Sequence, residues 1–183
     1  MPTDDDVPGL LIESFDPHRH ERTAFFSGVE RIDNFLKRTA RKQQDGDFTR
    51  IWVAVEPGNP AILGYYAMNA HALEQGEMPP EMARDAPRHG SIPAAYLSII
   101  GVTATRQGSG LGRVLLADAL VRAARAADHI GLKAVILDVI ADGGEADTNR
   151  HQSFYRRMGF TPLPTQGLRM FITIKDVKKA MDV

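Results

Sequence analysis

The sequence predicts an α/β (α+β) fold, a mixed central sheet with flanking helices in a single domain spanning 1–183, and three observations predict it. An apolar run at Ala95–Thr103, a glycine turn at Gln107–Gly112, a long amphipathic pattern from Leu111 and a second apolar run at Lys133–Ile140 spell a βαβ crossover between parallel strands. Upstream, β-rich runs at Arg50–Glu56 and Ile62–Met68 flank Pro57-Gly58-Asn59-Pro60, the chemistry of a turn, and predict an antiparallel hairpin. The 183 residues are 43% apolar and 25% charged, values of one globular domain, so disordered, collagen-like and coiled-coil classes drop out.

In chain order, residues 1–8 read as a frayed end and Gly9–Phe15 as a first strand at or near a sheet edge. From Val29, the apolar positions Val29, Ile32, Phe35, Leu36 and Ala40 recur at helical spacing, with Lys37, Arg38, Arg41 and Lys42 on a basic side. That side reads either as a solvated surface or as an anion or nucleic-acid contact. Breakers at Gly76, Pro79, Pro80, Pro87, Gly90 and Pro93 make Glu74–Pro93 a surface loop with room for one helical turn. The Ala95–Thr103 strand is apolar on both faces, as a central strand is. In the next helix Leu111, Val114, Leu115, Ala119, Val121, Ala123 and Ala127 form a stripe ending near Ile130-Gly131. After the strand at Lys133–Ile140, Asp142–Asp147 reads as a polar loop and Thr148–Met158 as a short helix stopped by Gly159. Leu168–Ile174 is the last strand, and Val177–Met181 a helical turn.

Cysteine is absent, which removes disulfides, thiolate metal sites and a cysteine nucleophile together. The formal charge of −1 means that contact with nucleic acid needs a local basic patch. The acidic start Met1–Asp6 lacks the regions of a signal peptide, and no apolar run is long enough to span a bilayer. A cytoplasmic protein with no membrane partner is the expectation.

The turn Gln107-Gly108-Ser109-Gly110-Leu111-Gly112 carries the chemistry. Its glycines let the backbone approach a ligand and point N–H groups inward, and the helix behind it adds the positive end of its dipole. This describes an anion site for a phosphate or pyrophosphate; a glycine bend closing a mere loop is the alternative. Arg113-Val114 follows Gly112 where a P-loop needs Lys and Ser/Thr, and Arg113 stands where the Rossmann fingerprint needs its third glycine. NTP hydrolysis and NAD binding are therefore excluded.

With Ile100-Gly101-Val102 before it, the turn resembles the Q/R-x-x-G-x-G/A signature of the GNAT superfamily of acetyl-CoA-dependent N-acyltransferases. Phe154-Tyr155-Arg156-Arg157-Met158-Gly159-Phe160 is similar to its second signature, and the likeness runs from Gly28 to Ile174. The resemblance implies the GNAT acyl-CoA N-acyltransferase fold with splayed parallel strands, and acetyl-CoA without a metal. It implies that Gln107, Gly108, Ser109, Gly110, Leu111, Gly112 and Arg113 hold the coenzyme A pyrophosphate, chiefly through backbone N–H groups. Ile100, Gly101 and Val102 would pair with the pantetheine arm, and an N–H near Val102 would polarise the thioester carbonyl. Tyr155 would be the general acid that protonates the departing thiolate after direct attack by an uncharged amine. Asp138, Asp142, Glu145 and His151 stand near the expected cleft, but water serves as well, and no base is assigned.

Phe25, Asp33-x-Phe35-Leu36, Gln43-Gln44, Gly64-Tyr65-Tyr66 and Gly110-Leu111-Gly112-x-x-Leu115-Leu116-x-Asp118-Ala119-Leu120 resemble, within that superfamily, the toxin branch of bacterial type II toxin–antitoxin systems. That resemblance implies acetylation of the amino group of aminoacyl-tRNA, a homodimer, and neutralisation by a ribbon-helix-helix antitoxin. The chain departs from the branch in its charge of −1, in Gly101-Val102-Thr103 where Ala-Val-Asp is usual, and at Asp142–Arg150, which reads as an insertion. A small-molecule or protein amine as acceptor, and a non-catalytic acetyl-CoA sensor or partner protein, are the alternatives.

Overall fold

The computed structural model describes residues 9–84, 86–87, 90–164 and 166–182, so the frayed end expected at 1–8 lies outside the described residues. In chain order the elements are β1 (Leu11–Ser14), α1 (Glu30–Asn34), a π turn (Phe35–Thr39), α2 (Ala40–Asp45), β2 (Arg50–Val55) and β3 (Gly64–Leu73). A 3-10 turn (Gln75–Glu77), α3 (Pro80–Ala83), β4 (Ile92–Val102), a second 3-10 turn (Ala104–Arg106) and α4 (Leu111–Ala126) follow. The chain ends with β5 (Ala134–Asp138), α5 (Gly144–Arg157), β6 (Thr161–Leu163), β7 (Gln166–Thr173) and α6 (Ile174–Met181). The strands form a seven-stranded mixed sheet in the order β1-β2-β3-β4-β5-β7-β6, with flanking helices. Two compact units divide the chain: Met1–Asn69 with Ser98–Leu120, and Ala70–Leu97 with Val121–Val183.

In the first unit the expected hairpin forms, with β2 antiparallel to β3 from Arg50↔Met68 to Ala54↔Gly64, and β1 pairs antiparallel with β2 at the sheet edge. Ile32, Leu36 and Ala40 are buried at intervals of four residues. An α-helix advances 3.6 residues per turn, so such a row would drift by about 40° per step. The π turn absorbs that drift: the Ala40 N–H donates to Phe35 O, five residues back, and the row stays inward. Two glycines bring backbones close. A Cβ on Gly101 would lie 2.4 Å from Ile32 Cγ2, and one on Gly64 would lie 2.8 Å from Leu115 Cδ1.

In the second unit β4 and β5 run parallel from Ala94↔Ala134 to Leu97↔Leu137, the crossover the sequence predicts. β5 then pairs antiparallel with β7, and β6 with β7. Leu73, Met78, Ile92, Ala94, Ile136, Leu163 and Phe171 pack in one core cluster, which takes in Leu163 of the short β6. Thr173 caps α6 by accepting from the Asp176 N–H at 3.0 Å.

Several boundaries differ from expectation. Glu74–Pro93 holds a 3-10 turn and α3, and β4 starts at Ile92, because the Pro93 carbonyl still accepts from the Lys133 N–H at 2.8 Å although proline lacks a donor. β4 is not closed on both faces: Leu97, Ile99 and Gly101 are buried, whereas Tyr96, Ser98, Ile100 and Val102 are only half-buried. The Asp142–Asp147 stretch is not a loop throughout, since α5 begins at Gly144 and its acidic first turn, Glu145 and Asp147, suits a helix N-terminus. β6 is a strand the sequence reading missed, three residues with Pro162 in the middle. α4 stops at Ala126, short of Ile130-Gly131, and β7 ends at Thr173 where α6 begins.

Candidate active site

Ile100 to Arg113 lie within the first unit. The strand leaves β4 through Thr103, whose N–H donates to Leu63 O at 2.8 Å and whose hydroxyl donates to Phe26 O at 3.2 Å. The Gln107 side-chain amide then ties the turn down, donating to Ser27 O at 2.8 Å and to Val102 O at 3.1 Å. Ser109 Oγ donates to Arg106 O at 2.6 Å. Both side chains shape the turn rather than reach outward. Gly108 and Gly110 have φ of 77° and 89°, left-handed values that L side chains resist. Leu111 is a core residue, 2% exposed, and its contribution to any ligand is its backbone. The N–H groups of Gly108, Gly110, Leu111 and Gly112 have no partner among the described hydrogen bonds, and they cluster where α4 begins. Arg113 is exposed beside them. Cβ atoms at Gly108 and Gly110 would meet nothing within 4 Å, and one at Gly112 would come only to 3.8 Å from Val102 Cγ2. These glycines serve open space next to free donors, which fits an anion cradle; Gly101, by contrast, is glycine because of Ile32.

The residues that carry the narrower resemblance form the framework behind this turn. Asp33 Oδ1 accepts from Ser27 N at 2.8 Å and from Ser27 Oγ at 2.7 Å. Gln44 donates to Phe15 O at 2.8 Å and accepts from Ile51 N at 3.3 Å. Tyr65 donates to Ile32 O at 2.7 Å, between Phe25 edge-on at 5.5 Å and Phe35 stacked at 6.1 Å. Burial, and secondarily the charge of Asp33, holds the Tyr65 phenol far above its ordinary range, so it stays a donor. Tyr66 donates to Asp118 Oδ2 on α4 and stacks on Trp52 at 5.2 Å.

Tyr155 lies in the second unit, on α5. Its ring packs edge-on to Phe154 at 5.2 Å and Phe160 at 5.9 Å, and the turn at Gly159 holds this trio, with Phe160 N donating to Tyr155 O at 3.0 Å. Desolvation pushes the phenol up to about 12, so it carries its proton throughout the neutral range. In the same unit the β4–β5 register stops at Leu97↔Leu137, and past Asp138 the chain follows β7, with Val139 N donating to Leu168 O at 2.8 Å. Asp138, at that stop, accepts from Tyr96 OH at 2.9 Å and from Arg169 Nε and Nη2 at 2.8 Å each. These bonds hold Arg169 above its ordinary range. They also occupy both Asp138 oxygens, which makes it a poor proton acceptor. The sequence reading missed Tyr96 and Arg169 as partners of Asp138; a tyrosine in an apolar strand was the one signal. Asp147 pairs with Arg150 at 2.8 Å on the exposed start of α5. Among the described residues no group of three or more His, Cys, Asp or Glu is placed to hold a metal, and no helix is long and apolar enough to cross a membrane.

Comparison with known proteins adds one family and four similar proteins. The family model "Acetyltransferase (GNAT) domain" matches residues 47–162. The "Probable toxin TacT" of Sinorhizobium fredii is 43% identical over 171 residues, 93% of this chain and 94% of its own. The "tRNA-acetylating toxin" of Mycobacterium tuberculosis is 30% identical over 156 residues, 85% of this chain and 87% of its own. Among solved structures, a tyrosine-to-phenylalanine mutant of KacT has a TM-score of 0.84 at 23% identity, covering 94% of this chain and 99% of its own. AtaT complexed with acetyl-methionyl-tRNAfMet has a TM-score of 0.83 at 21% identity, with the same coverage of 94% and 99%.

Proposed function

Because the chain belongs to the GNAT acetyltransferase family, we propose that it transfers the acetyl group of acetyl-CoA to the amino group of an aminoacyl-tRNA, as the toxin of a toxin–antitoxin pair. The observation that carries the acceptor is the end-to-end likeness, 43% over 93% of this chain, to a relative described as a toxin, together with the tRNA-acetylating relative. The donor-side N–H groups and glycines fit a pyrophosphate. In this reading Gly108, Gly110, Leu111, Gly112 and Arg113 bind the coenzyme, Gln107 and Ser109 shape the turn, and the half-buried edge at Ile100–Val102 takes the pantetheine arm. Acetyl-CoA supplies the activated thioester. Tyr155 holds the proton needed at the departing sulfur, and its desolvated phenol is suited to donate rather than accept. The matched span draws on both units, which supports reading 1–183 as one catalytic domain. A cytoplasmic homodimer neutralised by a ribbon-helix-helix antitoxin completes the proposal; the solved neighbours include AtaT bound to the C-terminus of its antitoxin AtaR.

The test is transfer from labelled acetyl-CoA to charged tRNA, followed by hydrolysis of the aminoacyl ester. Label recovered on the released amino acid is the expected result. Label on polyamines or peptides but none on aminoacyl-tRNA would replace this acceptor with a small-molecule or protein amine.

A further inference from the structure

The basic side of the α1–α2 segment borders an open hollow of about 330 Å3, lined by Arg22, Lys37, Arg38, Arg41, Lys42 and Asp45. Lys37 and Arg38 stand one turn before Arg41 and Lys42, so two successive pairs of cations face it. Asp45 lies 3.5 Å from Arg41 Nε, with both side chains more than half exposed, and offsets little of this charge. In a chain of net charge −1 the concentration is local. Arg22 is the informative residue. Its guanidinium lies over the Phe15 ring at 5.8 Å, and its Nη1 is buried without a hydrogen-bond partner. A buried charged donor left unpaired is costly, and the same residue is one of those that line the hollow. Three residues past Asp45, the last residue of α2, Phe48 is 75% exposed. Its ring packs over Gly46, where a Cβ would lie 3.0 Å from the ring and 3.2 Å from Lys42 O.

We infer that this hollow binds backbone phosphates of RNA and seats the body of the tRNA; the inference rests on the acceptor proposed above. A guanidinium fork matches phosphate oxygens in pairs, and flanking lysines act as point charges. Phe48, exposed a few residues beyond Lys42 and Asp45 in the chain, offers a platform for an unstacked base. A carboxylate-rich peptide would meet the same cations but leave Phe48 without a role.

Filter binding of deacylated tRNA to the full chain at 50–200 mM salt tests it. For the double variant Arg38→Gln, Lys42→Gln, the slope of log affinity against log salt should flatten by about 2, and affinity should fall by tens of fold at 0.1 M salt. Arg22→Met should weaken binding by roughly tenfold. The pair Lys175→Gln, Lys179→Gln, two exposed positions of α6, should change neither quantity. Wild-type affinity and slope in the double variant, whose side chains are exposed and whose folding is checked by thermal melting, would overturn the assignment. So would a loss of acetyl-CoA affinity in place of tRNA affinity, or polyglutamate displacing tRNA at equal charge concentration. Acetylation of charged tRNA is measured separately. Site-dependent tRNA binding without acetyl transfer would support the hollow and overturn the acceptor, and transfer unaffected by the double variant would do the reverse.

Discussion

In the proposed mechanism the proton donor is Tyr155, a phenol that desolvation holds protonated. Tyr155→Phe removes one oxygen from a ring already packed between Phe154 and Phe160, so the fold should tolerate it. Turnover should drop by about 10²-fold or more while acetyl-CoA affinity holds, read by kcat and by calorimetric Kd. The pH dependence follows from the sign of the shift. The folded pKa, about 12, exceeds the ordinary 10.0, so the donating form is complete below pH 10 and is lost only as pH climbs through 12. The kcat profile should therefore show no descending limb below pH 10, and a fall centred at pH 8 or 9 would disqualify Tyr155 as the desolvated donor. Stability that depends on this burial should likewise erode only above pH 10. Gly101 is a residue of the opposite kind, conspicuous in a signature but set by packing. Gly101→Ala would press a methyl to 2.4 Å from Ile32 Cγ2 and should cost about 1–3 kcal/mol in urea unfolding. Adding Ile32→Ala should recover part of that cost, which a purely ligand-directed role for Gly101 would not produce.

Among elements, the α1–π–α2 segment shows how far a pattern reads. Its apolar positions and basic side were legible, because burial of Ile32, Leu36 and Ala40 leaves a periodic trace. The π turn was not, since a four-residue spacing is compatible with an α-helix until packing demands that the row stay inward. Asp33 anchors the entry to this segment by accepting both Ser27 donors. Asp33→Ala should cost about 1–3 kcal/mol by leaving a buried Ser27 N–H unpaired, measured by chemical denaturation; a change near zero would mean that water reaches Ser27. The start of α5 and the strand β6 escaped the sequence reading for a related reason. Gly143-Gly144 and Pro162 are breakers by local propensity, and tertiary pairing of β6 with β7 overrode it.

For the whole molecule, a ligand that binds only the folded chain must raise its stability. Acetyl-CoA at 100 times its Kd should add about 2.7 kcal/mol, seen as a higher melting temperature, and no shift would remove the donor site along with the enzyme. The sequence by itself determined the family and the donor: glycines, apolar periodicity and an aromatic pair before Gly159-Phe160 are local features, and local features survive in a linear string. It also carried the framework residues Asp33, Gln44, Tyr66 and Asp118, though not their jobs, which are hydrogen bonds across as many as 52 positions between Tyr66 and Asp118. Only the tertiary structure decided that Gln107 and Ser109 spend their side chains inside the turn and that both oxygens of Asp138 are taken by Tyr96 and Arg169. It also gathered Arg22 to the cations of α2 in a chain with no net basic charge. Pairings of this kind depend on which distant backbones the packing brings within 3 Å, and composition and spacing hold no record of that.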